Sequence, residues 1–189
     1  MKFISVNKKH IALFLLGQVF FTNCKKESPT DRDDWELTFR EEFSDTALNK
    51  NIWKTIFPWG QYYSEDYKQL FIDSAFLING GVLHIRAKRD TVMALVHDDN
   101  YNYSLKEFYL STGMLQSEEG FSQQYGYFEI RSKVPYGSGF WPAFWLMAHS
   151  GWPPEIDVFE ISGRQPNRLH MANHFRDKQG VHRQNTITI

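Results

Sequence analysis

A chain of 189 residues with a formal net charge of -1 supports one domain with a substantial core, and it carries no basic field that would hold a nucleic acid backbone. Aromatic residues make up 16% and include six Trp, more than a minimal core requires, and flat apolar rings suit sugar faces as well as cores. The single cysteine, Cys24, excludes an internal disulfide and any multi-cysteine metal site.

The chain opens with Lys2, Lys8 and Lys9 ahead of an apolar run from Ile11 to Phe21 that is interrupted by one Gln and one Gly. Such a run is too short to span a bilayer and suits a secretory leader. It ends at Phe21-Thr22-Asn23-Cys24, which resembles a relaxed bacterial lipoprotein signal with Cys24 as the lipidated residue, although Phe21 and Asn23 depart from the usual Leu and Gly or Ala. A plain cleaved signal with an incidental cysteine is the alternative. Residues 1–24 are therefore read as a signal peptide. The mature protein is expected outside the cytoplasm, in the cell envelope or secreted, and touching a membrane only through this N-terminal anchor. Residues 25–34 are charged, lack apolar side chains and cannot bury a core, so a flexible tether is expected there.

From Trp35 the dominant pattern has period two, as in strands with one buried face. Leu83, Ile85 and Ala87 alternate with His84, Arg86 and Lys88 after the turn residues Asn79-Gly80-Gly81. Phe128, Ile130, Ser132 and Val134 alternate with Tyr127, Glu129, Arg131 and Lys133. No long amphipathic helix and no internal repeat is present, so residues 35–189 are expected to form an all-β sandwich.

Residues 155–160 read Glu-Ile-Asp-Val-Phe-Glu, with Pro153-Pro154 before and Gly163 after. A regular strand would put Glu155 and Asp157 on one face and Glu160 on the other, among Ile156 and Val158. An uncompensated carboxylate in that position would cost ~3 kcal/mol or more. One extra residue at Val158 or Phe159, a β-bulge, resets the phase and returns Glu160 to the face of the other two. Three clustered carboxylates cannot all ionise without mutual repulsion, so the group retains a proton. Glycoside hydrolysis needs this combination: one carboxylate attacks the anomeric carbon and another, protonated, donates to the departing oxygen. After the bulge the backbones of Glu155 and Glu160 lie roughly 13 Å apart, and inward-leaning side chains can close this toward the ~5.5 Å of a retaining pair. Calcium binding is the competing use of such a cluster, but adjacent carbonyl and Asn ligands in a loop are missing. No cofactor and no metal site is expected, with a structural calcium left open.

With its flank Ile161-Ser-Gly-Arg-Gln-Pro166, this segment resembles the bulge-containing active-site signature of glycoside hydrolase family 16. Gly137-Ser-Gly-Phe-Trp-Pro-Ala-Phe-Trp-Leu-Met147 and Tyr125-Gly-Tyr-Phe-Glu-Ile-Arg-Ser-Lys-Val-Pro135 resemble the two preceding strands of that family. Weaker similarity runs back through Thr112-Gly-Met-Leu-Gln-Ser117 to Phe39-Arg-Glu-Glu-Phe43. The resemblance implies a concanavalin A-like jelly roll with a polysaccharide cleft and a retaining, endo-acting mechanism. In it Glu155 would be the nucleophile, Glu160 the acid/base, and Asp157 the partner that orients the nucleophile and shares its proton. It also implies more strands than the 29 residues after Glu160 can supply, so the domain is expected to be incomplete at the C-terminus.

Trp141 and Trp145 are candidates for sugar stacking, with core packing as the plainer reading of each. His174, in Asn173-His-Phe, is the candidate site histidine, and His170 is its competitor. Trp152, in a Gly-Trp-Pro-Pro loop, and Trp59 with Tyr62, in a variable loop, are left without a role. The expected partner is a polysaccharide, for a monomeric chain: first a β-1,3-glucan of laminarin type, next a marine galactan such as agar, porphyran or carrageenan. A noncatalytic glycan-binding protein on the same fold is the reading from another class.

Overall fold

The computed structural model describes residues 1–6, 35–62 and 68–189. Cys24 and the expected tether at 25–34 lie outside the described residues. Twelve strands and one short 3-10 turn, with no α-helix among the described residues, fall into two units, residues 1–130 and 131–189.

The first unit contains β1 (Lys2–Val6), β2 (Trp35–Arg40), β3 (Leu70–Phe71), β4 (Phe76–Asn79), β5 (Val82–Ile85), β6 (Lys88–His97), β7 (Tyr103–Thr112) and β8 (Tyr127–Glu129). β1 lies inside the segment read from the sequence as a leader, and it pairs antiparallel with both β2 and β8. The ladder of β8 stops at Glu129, opposite Lys2, so the strand expected to run to Val134 is shorter than its alternation suggested. β4 and β5 form the hairpin announced by the paired glycines. Asn79 faces Val82, and Gly80 and Gly81 sit at φ 60° and 73°, a two-residue turn that needs positive φ at both positions.

The longest ladder, β6 with β7, has no alternation to mark it, because Val92, Ala94 and Val96 pack inward while Met93 and Leu95 lie outward and are also apolar. Val96 joins Leu70 and Phe108 in a buried cluster. Around Phe39 the motif Phe39-Arg-Glu-Glu-Phe43 has a packing role. Phe39 stacks on Phe121 and meets Trp53 edge-on, while the Glu41 carboxylate accepts the Trp53 indole N–H at 3.1 Å and the Phe43 N–H at 2.7 Å.

The second unit is one four-stranded antiparallel sheet in the order β12-β11-β10-β9, from β9 (Ala143–Met147), β10 (Glu155–Glu160), β11 (His170–Arg176) and β12 (His182–Thr188). The strand carrying the three carboxylates is thus paired on both sides.

Candidate active site

Between Asp157 and Glu160, three steps along β10 match two along β11, since Asp157 faces Ala172 and Glu160 faces His170. Against β9 the same slip falls between Asp157, opposite Trp145, and Phe159, opposite Phe144. This is the bulge that the conflict between strand phase and charge burial required at Val158 or Phe159. Because directly opposed residues project to the same side, Glu155, Asp157 and Glu160 share a face with Ala143, Trp145 and Met147 and with His170, Ala172 and His174. Phe159 turns with Phe144 to the other side, where both rings are 9% exposed.

At one end of β10 the Glu155 carboxylate accepts the indole N–H of Trp152. Burial pushes the Glu155 carboxyl above the ordinary carboxylate range. The Trp152 bond opposes this, the charge of Asp157 and a shared hydrogen bond with it add to the rise, and His174 acts the other way. Asp157 is only 3% exposed, and its Oδ2 lies 3.3 Å from His174 Nε2. His174 Nδ1 is 3.0 Å from His182 Nε2, with the two rings nearly parallel at 13°. A neutral His174 that donates from Nε2 to Asp157 accepts at Nδ1, so His182 is the donor in that pair. His182 also meets the Trp152 ring at 4.6 Å, and the Trp152 carbonyl accepts from the Arg176 guanidinium at 3.2 Å. Trp152, Glu155, Asp157, His174 and His182 therefore form a closed ring of contacts.

At the other end, Glu160 is half-buried and accepts the Trp141 indole N–H at 3.0 Å, from a ring that is 60% exposed. The loop before β9 is held by backbone approach. Gly137 N–H donates to the Gly163 carbonyl and Gly163 N–H to the Phe140 carbonyl, each at 2.9 Å. A Cβ on Gly163 would sit 2.2 Å from the Gly137 oxygen, so only glycine allows this closure. Trp141 follows directly from it.

The structure brings Glu155, Asp157, Glu160, Trp141, Trp145 and His174 together on this sheet, with Trp145 half-buried opposite Asp157. His174 stands opposite Glu155 and bonds Asp157, while His170 stands opposite Glu160 and bonds the Thr188 hydroxyl at 2.8 Å. Both histidines are thus on the carboxylate face, in different company. Glu129 accepts the Tyr127 hydroxyl at 3.2 Å in the first unit. His182 escaped the sequence reading. Its signal was the eight-residue spacing from His174 across a turn closed by Gly180 at φ 78°, which places the two rings as diagonal neighbours. Among the described residues no group of three or more His, Cys, Asp or Glu is arranged to hold a metal ion.

Residues 78–188, which include the bulged strand and every side chain of this ring, match the model of glycosyl hydrolases family 16. The chain belongs to this family. It is similar to the endo-1,3-1,4-beta-glycanase EglC of Rhizobium meliloti, 31% identical over 162 residues that cover 76% of this chain and 33% of that protein. It is also similar to the glucan endo-1,3-beta-glucosidase A1 of Niallia circulans, 26% identical over 74% of this chain and 22% of that one. The chain thus spans a third or less of the length of these two curated relatives. A solved structure from work on endo-acting O-glycanases, with which prominent members of the human gut microbiota initiate mucin breakdown, aligns with a TM-score of 0.67 at 22% identity. That alignment covers 79% of this chain and 57% of that one. The likeness shows the fold, the all-β jelly-roll sandwich of family 16.

Proposed function

We propose that this chain carries the catalytic strand of a retaining, endo-acting hydrolase that cuts β-glycosidic bonds in a polysaccharide, most specifically a β-1,3-glucan. The observation that carries the reading is the bulge, which sets three carboxylates on one face and gives Glu155 and Glu160 different surroundings. In the first displacement a Glu155 oxygen attacks the anomeric carbon while Glu160 donates its proton to the departing glycosidic oxygen. In the second, Glu160 takes a proton from water, the hydroxide oxygen bonds to the anomeric carbon, and the ester to Glu155 breaks. Asp157 holds the proton that Glu155 releases when it becomes nucleophilic, and His174 with His182 orients Asp157. The linkage names of the two relatives support the 1,3-glucan substrate.

Hydrolysis of laminarin, mixed-linkage glucan, agar and carrageenan, with the product anomer followed by NMR, tests the proposal. Laminarin oligosaccharides released first as the β-anomer are expected. The α-anomer would contradict retention, and binding without cleavage would favour the glycan-binding reading. A polysaccharide substrate and the leader-like segment also support a mature protein outside the cytoplasm, with a lipid on Cys24 as its proposed anchor. Palmitate labelling that survives Cys24→Ala would remove the anchor.

A further inference from the structure

A second concave site belongs to the first unit, where Trp59, Tyr62, His97, Asp98, Asp99 and Tyr101 line a cavity of about 300 Å³. That volume is at the small end of the range for small-molecule sites. Its two most exposed rings are each backed by another ring. Trp59 stacks on Phe57 at 4.7 Å and 10°, and Phe57 is held edge-on by Phe71 at 5.2 Å. Tyr101 stacks on His97 at 4.9 Å and 14°. His97 makes a rigid base, because it is 4% exposed and its Nδ1 and Nε2 face the carbonyl oxygens of Asp98 and Trp59 at 2.9 and 2.7 Å. The Trp59 contact ties the two platforms to each other.

Tyr101 adopts φ 58°, a left-handed conformation that costs energy in a residue with a side chain, yet its ring stays 62% exposed and so gains little burial in return. The turn that enforces this is fastened by Asp98, whose carboxylate accepts the N–H groups of Asn100 and Asn102 at 2.8 and 2.9 Å and the Asn102 side-chain amide at 3.1 Å. Asp99 takes the Tyr62 hydroxyl on Oδ1 at 2.6 Å and keeps its second oxygen as an acceptor.

We infer that this cavity is a saccharide-binding site, in which the rings of Trp59 and Tyr101 receive the C–H faces of a sugar ring and Asp99 accepts its hydroxyls. Flat platforms with positively polarised C–H groups laid on them use the negative face of each aromatic system. An organic cation would also favour ring faces and the Asp99 carboxylate, and competition by choline separates it from a sugar. A polysaccharide as the source of the sugar rests on the hydrolase reading; the platform geometry does not.

Affinity electrophoresis through gels containing laminarin or carrageenan tests the inference, using the Glu155→Gln chain so that the polymer is not consumed. Trp59→Ala and Tyr101→Asn each remove one platform, and Asn tolerates the left-handed backbone, so the second variant keeps the turn. Each is expected to weaken retardation about fivefold or more on at least one polymer. Retardation unchanged in both variants, absent on both polymers, or relieved by choline in preference to glucose oligosaccharides would overturn it. Hydrolysis by the parent chain is scored separately. Retardation that needs both rings in a chain cleaving neither polymer would leave this site standing and remove the hydrolase reading. Cleavage with retardation indifferent to both rings would do the reverse.

Discussion

The two ends of β10 hold the same kind of group in opposite settings. Glu155 and Glu160 each accept an indole N–H, from Trp152 and Trp141 respectively. At the Glu155 end that indole belongs to a ring of contacts with buried Asp157, His174 and His182; at the Glu160 end it is an exposed ring at the rim of a glycine-closed loop. The bulge between them is what lets a single strand present both. Burial and its neighbours thus raise the proton affinity of Glu155, which must hand its proton to Asp157 before it can attack, while the bulge sets Glu160 in other company on the same face.

The largest expected effect comes from removing the Glu155 charge. Glu155→Gln should lower turnover by about a thousandfold or more, since no other nucleophile is placed to replace it. It should also make the fold more resistant to heat at neutral pH. A carboxyl raised on folding binds more protons in the native than in the unfolded chain. Its stabilisation is therefore complete below about pH 4 and is lost as pH climbs through the raised folded value. The melting-temperature advantage of the variant should grow from pH 4 to pH 7, and an advantage that shrinks over that range would break the contrast. Glu160→Ala should spare an activated substrate more than a polysaccharide, because a good leaving group needs no proton. Azide should restore part of its rate by reacting with the intermediate. Rescue of neither step would show that Glu160 is not the acid/base.

Two smaller changes move the Glu155 end in opposite directions. Asp157→Asn removes a neighbour that raises Glu155, so the acid limb of kcat/KM should shift to lower pH, with a rate loss of about 10- to 100-fold from disturbed positioning. Trp152→Phe removes a donor that favours the ionised form, so its acid limb should shift upward. Shifts of the same sign in both variants would contradict the proton-sharing account. The smallest effect belongs to Trp141→Phe, which loses one rim hydrogen bond worth about 1 kcal/mol, or roughly fivefold in rate.

The bulge was legible in the sequence because a regular strand would have buried Glu160, and the cost of that burial exceeds any gain from regularity. Gly80 and Gly81 marked their hairpin through backbone requirements, and the turn formed as read. β6 was not legible, since the run Val92–Val96 is apolar on both faces and leaves no period-two trace. Nor was the contact between Trp152, in the loop before β10, and His182, on β12, which lie thirty residues apart in sequence and meet only because β11 pairs with both strands. The trio Glu155, Asp157 and Glu160 followed from local spacing and the roles proposed within it from the family resemblance, but the contacts that join Asp157 to His174 and His174 to His182 run across the sheet and appear only with the fold.

The central claim is that Glu155, and neither of the other two carboxylates, forms the covalent bond to the sugar. An activated 2-fluoro oligosaccharide slows both displacements, and the second more than the first, so the intermediate accumulates and can be located by peptide mass spectrometry. The account predicts a glycosyl ester on the peptide carrying Glu155, localised to that residue by fragmentation and absent from Glu155→Gln. A label on Asp157 or Glu160, or full turnover with no covalent species, would contradict it.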